Sequence, residues 1–466
     1  MNNTTLTKHD IFLLDGELVE RKLLNITQNE KDALLESQRL LNQKLEARGL
    51  NFEGKSYPVS IRPLVLSSAT VKTLVEIGER FSDIFDKFAR AWIDHEAIRE
   101  YFPVYRRSER FLFNLPNHTP LVRIFRLDGL FDEDGTYQVI ETNTDCPGGV
   151  IQNGLAGAIW SDIANPLLHG VDVRADFQPF VKDNDLFLKQ LLETHQERTG
   201  AAANRAAIVT YKGQFKNEVS WMADGLNRLG IVTEIIDASL LKRRNNTLVN
   251  PDGQVIDLAY NKLDLRDLID EPEVEEYLTT ASHGEVTFIN PLICQWPLAD
   301  KAIMAVLSDR SMLSFLSEDD RAFCLKHIPW TRVVNAGQTT SPQGEPIVLI
   351  DWATTQREQL VLKPSNATRG EGLLIGRFTD AATWQQHLQH ALNSNESWIV
   401  QQYIRGHLIS AVHPDSGISD SMWSGVDTYV YGGKFAGFQA RASFDPVMNV
   451  GRRGIILPVA LVEENP

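Results

Sequence analysis

The stretch Arg126-Leu-Asp128 followed by Glu141-Thr-Asn143-Thr-Asp145 constrains this chain more than any other, because Asp134-Gly135 lies between its halves. Asp-Gly between alternating segments is a strong short-range hairpin signal. Counting outward from a two-residue turn at 134–135 puts Asp128 opposite Glu141 and Arg126 opposite Asn143. Side chains alternate along a strand, so all four share one face. Two carboxylates opposed across a ladder sit about 5 Å apart and repel. A cation between them removes the conflict, and two carboxylates, an amide oxygen and a guanidinium suit magnesium carrying phosphates. A bulge between 129 and 137 would flip one strand and undo this register. The competing reading is a solvated acidic hairpin. Convergence of four functional side chains brings the metal reading level with it, and the rest of the chain decides.

At 466 residues the chain is long enough for two or three domains, each with its own core. A net charge of −15 argues against a nucleic-acid partner and against an anionic membrane surface. An acidic chain that bound a polyanion would therefore have to concentrate positive charge locally. Cys146, Cys294 and Cys324 lack metal-ligand spacing and cannot all pair, which fits a reducing, cytoplasmic compartment. The start MNNTTLTKHD offers no signal-peptide core, and no apolar run is long enough to span a bilayer. Cys146, close to the metal candidate, reads as a small buried side chain.

Residues 28–48 read as a helix with Leu34, Leu41 and Leu45 on one face and Gly49 as its stop. Residues 71–94 read as a stronger one, with Leu74, Ile77, Phe81, Phe85, Phe88 and Trp92 at helical spacing, a core stripe. After the hairpin, Pro147-Gly148-Gly149 breaks the strand, and a loop or helix start follows at 150. Strands at 206–210, 231–236 and 255–260, with a helix at 217–229, form an α/β unit; no GxGxxG accompanies them, so a Rossmann dinucleotide site is not supported. Farther on, helices are expected at 300–308 and 380–392 and strands at 347–350, 359–363, 372–376 and 398–404. The segment 335–346 reads as a loop or linker.

Lys363 ends the apolar strand Leu360-Val-Leu362, where a charge is costly unless paired. It leads into Ser365-Asn-Ala-Thr-Arg369-Gly370-Glu-Gly372, whose small residues and arginine suit a phosphate cradle. A strand follows, so this is a strand-loop-strand flap and not a P-loop. Residues 398–404 could run into a short linker where adenine meets backbone.

In Arg126-x-Asp128, Glu141-x-Asn143-x-Asp145, Asp300-Lys301-Ala302, and Lys363-Pro364 with its Arg369-Gly-Glu-Gly flap, the chain resembles the ATP-grasp ligases in circularly permuted form, in particular the synthetase domain of glutathionylspermidine synthetase. Those motifs span roughly residues 120–404; the hairpin motif preceding Lys363 is the order of the permuted branch. The resemblance implies an α/β (α+β) ATP-grasp fold with three parts. A helical region and metal-binding hairpin would occupy 1–195, a pre-ATP-grasp-like α/β unit 196–299, and the nucleotide-binding part 300–466. It implies ATP and Mg2+ as cofactors, with Asp128, Glu141 and Asn143 on the metal. Arg126 would face the transferred phosphate and Arg369 would close the flap. Lys301, Lys363, Gly370 and Gly372 would meet the nucleotide phosphates, and Gln401, Gln402 and Ile404 the adenine. The flap order departs from the relative's Gly-Arg-Glu-Gly, and the relative's amidase domain is absent, so glutathione and spermidine are not carried over. Arg441 and Asn449 are open between site and plain surface, as Lys301 and Arg369 are between phosphate contact and surface charge; His407 and His413 read as non-catalytic.

The expected activity is ATP-dependent ligation of a small-molecule carboxylate to an amine through an acyl phosphate, releasing ADP and phosphate. Loading of an amino acid onto a carrier-protein thiol and a non-catalytic ATP-binding regulator stay open as alternatives. A homodimer is compatible with the reading.

Overall fold

The computed structural model describes residues 17–52, 55–116, 119–170, 173–214, 216–367, 370–448 and 454–462. Arg369 and Asn449 lie outside the described residues.

The central element is a six-stranded antiparallel sheet. Its path runs Ile455–Leu457, Lys434–Ser443, Gly417–Tyr431, Ile124–Phe131 and Tyr137–Asn143, with His407–His413 also paired to Gly417–Tyr431. The strands alternate, so one face is apolar. Phe125, Leu127, Val426, Val430, Ala440 and Ala442 join a core with Leu74, Ile77, Phe81, Phe85, Phe88 and Trp92. The helix carrying that stripe, Ser68–Asp94, starts at Ser67, whose hydroxyl accepts from the Thr70 N–H. Each large side chain buried here contributes about 1.5–3 kcal/mol, and the Phe85 and Phe125 rings meet edge-to-face at 5.2 Å. The opposite face of the sheet is polar and builds the site below.

Two further sheets flank it. Thr287–Ile289, Leu258–Asn261, Arg205–Thr210 and Val232–Asp237 form a parallel sheet in that order, with helix Lys216–Arg228 crossing between the last two. Thr331–Val333, Trp398–Gln402, Leu360–Pro364 and Leu374–Ile375 form an antiparallel one. Its apolar face packs Leu360, Leu362, Trp398 and Val400 against Trp384 and Leu388 of helix Ala381–Asn393 and Ala353 of helix Leu349–Thr355.

Four expectations need correction. The strand expected at 347–350 is Pro346–Val348 only; Leu349 already starts a helix whose Leu349 and Ala353 enter the core. The expected linker at 335–346 holds a small hairpin, Gln338–Thr340 against Pro346–Val348. The expected strand 255–260 is two pieces in two sheets, Val255–Ile256 and Leu258–Asn261. The turn at 134–135 is wider than two residues: the Asp132 N–H donates to the Thr136 carbonyl, and Asp132 Oδ1 accepts from the N–H groups of Asp134 and Thr136. No helix among the described residues is long and apolar enough to cross a membrane.

Candidate active site

The hairpin pairs Asp128 with Glu141 and Arg126 with Asn143. That is the expected register, reached by two offsets that cancel. Next to the turn Phe131 pairs with Tyr137, one residue out of the two-residue-turn count, and a bulge between Asp128 and Gly129 restores it. On the other side of Asp128 the neighbouring strand contributes Asp427, directly opposite. Three carboxylates, Asp427, Asp128 and Glu141, therefore stand in one row across three adjacent strands. Tyr429 stands beside Arg126 in the next row, and Arg441 is paired with Gly425.

The repulsion foreseen in this row is absorbed by the protein's own cations. Arg126 grips Asp128 with Nε at 2.6 Å and a terminal nitrogen at 3.0 Å. Arg441 bridges Asp128 at 2.8 Å and Asp427 at 2.7 Å. Asn143 donates its amide to Asp128 Oδ1 at 2.8 Å. Burial pushes the Asp128 carboxyl up, but Arg126 and Arg441 together hold it below its ordinary range. Asp427 is 0% exposed, and burial, with Asp128 adding to it, pushes its carboxyl up to about 7 against the pull of Arg441. Asp427 Oδ2 and Arg441 Nε are buried with no hydrogen-bond partner among the described residues.

Glu141 meets Lys301, 3.2 Å away. Lys301 immediately precedes helix Ala302–Leu307, and its backbone N–H donates to Ser365 O at 2.9 Å. Its Nζ also donates to Ala367 O at 2.6 Å, so one ammonium joins the carboxylate row to the flap. Asp300 anchors this junction from beneath, accepting from Tyr105 Oη, Ser365 Oγ and the Ala302 N–H. Lys363 donates to Ile140 O and to Gln401 Oε1. Burial pushes its ammonium down to about 8, with Glu141 holding it partly up.

The flap is a strand-loop-strand element, Leu360–Pro364 pairing with Leu374–Ile375. Gly370 and Gly372 both have positive φ, and a Cβ on Gly372 would press on the Pro364 ring. Gln401 is buried, its amide donating to Thr331 Oγ1 and its oxygen accepting from Lys363. The Gln402 N–H bonds to Trp330 O and the Tyr403 N–H to Gln359 O. Gln402, Tyr403 and Ile404 line a cavity of about 1190 Å³ that none of Asp128, Glu141, Lys301 and Lys363 borders.

The loop after the hairpin is fixed from three directions. Buried Lys262 donates to the Cys146 and Pro147 carbonyls and pairs with Glu218 at 3.0 Å. Glu218 accepts the Gly149 N–H, Tyr429 Oη donates to Gly148 O, and Tyr431 Oη to Val150 O. Arg126 also reaches Gly148 O, at 3.4 Å. Gly149 has φ +80°, and a Cβ there would lie 2.5 Å from Asn153 Nδ2.

The structure thus brings together Arg126, Asp128, Glu141, Asn143, Lys301 and Lys363, and adds Arg441. It leaves Gln402 and Ile404 apart from that cluster, at the cavity. Sequence reasoning missed Asp427, whose one signal was a charge at an alternating position in Gly425-Val-Asp427-Thr-Tyr429. It also missed Lys262 and Glu218, which have no local motif. Among the described residues no three His, Cys, Asp or Glu side chains form a ready metal cage.

No protein-family model matches the chain, and no curated protein matches its sequence. Among solved structures, a glutathione synthetase-like effector from Globodera pallida, in its apo form, is similar over 94% of this chain and 99% of its own, at 14% identity and a TM-score of 0.56. A D-cycloserine synthetase matches over 56% of this chain and 92% of its own, at 14% identity and a TM-score of 0.27. The first likeness extends the shared fold over nearly the whole chain.

Proposed function

We propose that this chain is an ATP-dependent carboxylate ligase of the circularly permuted ATP-grasp kind. The observation that carries the reading is the Lys301 ammonium, held between Glu141 of the hairpin and Ala367 of the flap. With Lys363 beside it, two ammonium groups stand where a flap and a carboxylate row meet. That arrangement suits a triphosphate whose terminal group lies over the row. The hairpin preceding the Lys363 strand along the chain supports the permuted order, and the fold shared with the glutathione synthetase-like effector supports a ligase.

Magnesium fits the residues present. Lys301 is the one described cation within ion-pair distance of Glu141, and it approaches through Oε1. Asn143 uses its amide nitrogen on Asp128, which leaves its oxygen for a cation. Two carboxylates plus substrate phosphates are the usual magnesium donor set, so a third protein acid is not required. Asp128, Glu141 and Asn143 would hold the ion, which would neutralise charge on the phosphates when bound. Arg126 and Arg441 would orient and stabilise the phosphoryl group on its way to a small-molecule carboxylate, and the resulting acyl phosphate would be taken by an amine. Such chemistry rests on positioning and charge stabilisation and needs no protein nucleophile.

The test is a product assay with ATP, Mg2+ and pools of carboxylates and amines. ADP and phosphate should form in step with a new amide, and oxygen-18 in the substrate carboxylate should pass to the phosphate. AMP as the stoichiometric product would refute the mechanism.

A further inference from the structure

Asp427 has a place in the row that the reading above leaves without a task. It is fully buried, directly opposite Asp128, and its Oδ1 is held by Arg441. Its Oδ2 accepts nothing among the described residues, an uncommon and costly state for a buried carboxylate oxygen. That same oxygen lies 4.0 Å from Nε of Arg126, just beyond a hydrogen bond. Arg126 meanwhile spends Nε and one terminal nitrogen on Asp128, one of the three residues assigned to the metal.

Both oxygens of Asp128 are occupied by guanidinium and amide donors. A divalent cation approaching Asp128 must displace some of them. The displaced guanidinium, whose side chain is only 14% exposed, would then be left without a counter-ion, which is unfavourable. We propose that Asp427 is the reserve counter-ion of Arg126, accepting the guanidinium that Asp128 releases when a divalent cation claims it. Asp427 is then a positioning residue that acts on the metal through Arg126. Movement of Arg126 Nε by about 1 Å would bring the open Oδ2 within hydrogen-bond distance, while Arg441 keeps its bond to Oδ1. The proposal rests on the metal assignment of Asp128 but not on the identity of either ligase substrate.

Mn2+ binding to the full chain with saturating ADP, followed by the electron paramagnetic resonance of free Mn2+, tests it. ADP lacks the phosphoryl group that could otherwise compensate Arg126. Asp427→Asn keeps the shape of the side chain and should weaken Mn2+ about 10- to 100-fold, the range for residues that support metal ligands. In an Arg126→Met background there is no guanidinium to hand over, and the same Asp427→Asn change should alter Mn2+ affinity by less than about threefold on the same reasoning. A merely structural role would weaken binding equally in both backgrounds, and that result overturns the proposal. So does wild-type affinity in Asp427→Asn. If wild type itself binds no Mn2+, the metal platform falls and the hand-over with it; if wild type binds and Asp427→Asn binds equally, only the hand-over falls. Thermal melts of all four proteins identify any variant that fails to fold; the Arg126→Met/Asp427→Asn pair, which removes opposite charges together, supplies the comparison should a single variant do so.

Discussion

Lys363→Met isolates what a buried ammonium costs this fold and what it does for a ligand. The Lys363 side chain is 5% exposed and its ammonium is pushed from 10.5 down to about 8. At about 1.4 kcal/mol per unit, the charged form costs the folded state roughly 3 kcal/mol relative to the unfolded chain. Replacement by methionine removes that cost but also strips a donor from Ile140 O and Gln401 Oε1, each loss about 1–3 kcal/mol. The two effects should nearly cancel at pH 7. Between pH 8 and 10.5 the unfolded lysine binds protons that the folded one has shed, so wild-type stability gains relative to the variant as pH rises across that window. The variant should therefore be near wild type at pH 7 and about 2–3 kcal/mol less stable near pH 10.5, where only the lost hydrogen bonds count. Urea unfolding of both proteins from pH 7 to 10.5 measures the difference. A stability gap that does not change with pH would refute the buried-charge account. On the proposed reading Lys363 would make a charge-assisted phosphate contact worth about 1.5–3 kcal/mol, so ATP affinity by calorimetry should fall about 10- to 150-fold in the variant. Wild-type affinity should weaken as pH rises through about 8.

Glu141→Gln should cut turnover by orders of magnitude and, without nucleotide, lower the melting temperature, because Glu141 is paired with Lys301 and supports the Lys363 charge; differential scanning fluorimetry reads the direction, and a rise would mean that repulsion from Asp128 dominates after all. Lys262→Met should cost about 3–5 kcal/mol by leaving the half-buried Glu218 without its cation, and adding Glu218→Gln should recover part of it, checked by denaturant midpoints in a double-mutant cycle. Gly149→Ala combines a positive φ with a Cβ at 2.5 Å from Asn153, so it should both destabilise the protein and loosen the loop that Arg126 touches, visible as faster amide exchange over 146–150.

The elements that were legible in sequence are those whose signal is local. The stripe from Leu74 to Trp92 fixed a helix because every member enters one core. The hairpin was readable from Asp134-Gly135, though a wide turn and a bulge had to offset one another for Asp128 to meet Glu141. The flap was readable because Lys363 and Gly372 are strange residues for an apolar strand and its exit. What was not legible depends on partners far along the chain. Nothing near Asp427 says that it lies opposite Asp128. Nothing near Lys262 says that it will hold the carbonyls of Cys146 and Pro147. Leu349 looked like strand because a short apolar run has no period of its own, and the core beneath Trp384 decided for helix.

The same long-range pairing changes how the site's charge should be understood. From the hairpin alone the acids dominate, and an external cation seems required to relieve them. In the folded chain Arg126, Arg441, Lys301 and Lys363 surround Asp128, Glu141 and Asp427, so four cations face the three carboxylates of the row. A chain of net charge −15 thus gathers four cations around this row. That excess is what an anionic ligand would meet, and the surrounding acids would limit how far its attraction extends. On the proposed reading metal and polyphosphate would be complementary additions: the phosphates would satisfy the lysines, and the cation would take the place of the Arg126 guanidinium on Asp128. Anion affinity without metal should consequently be weak but measurable and should fall with ionic strength, while metal affinity without nucleotide should be weaker still, because Arg126 and Arg441 already occupy its ligand.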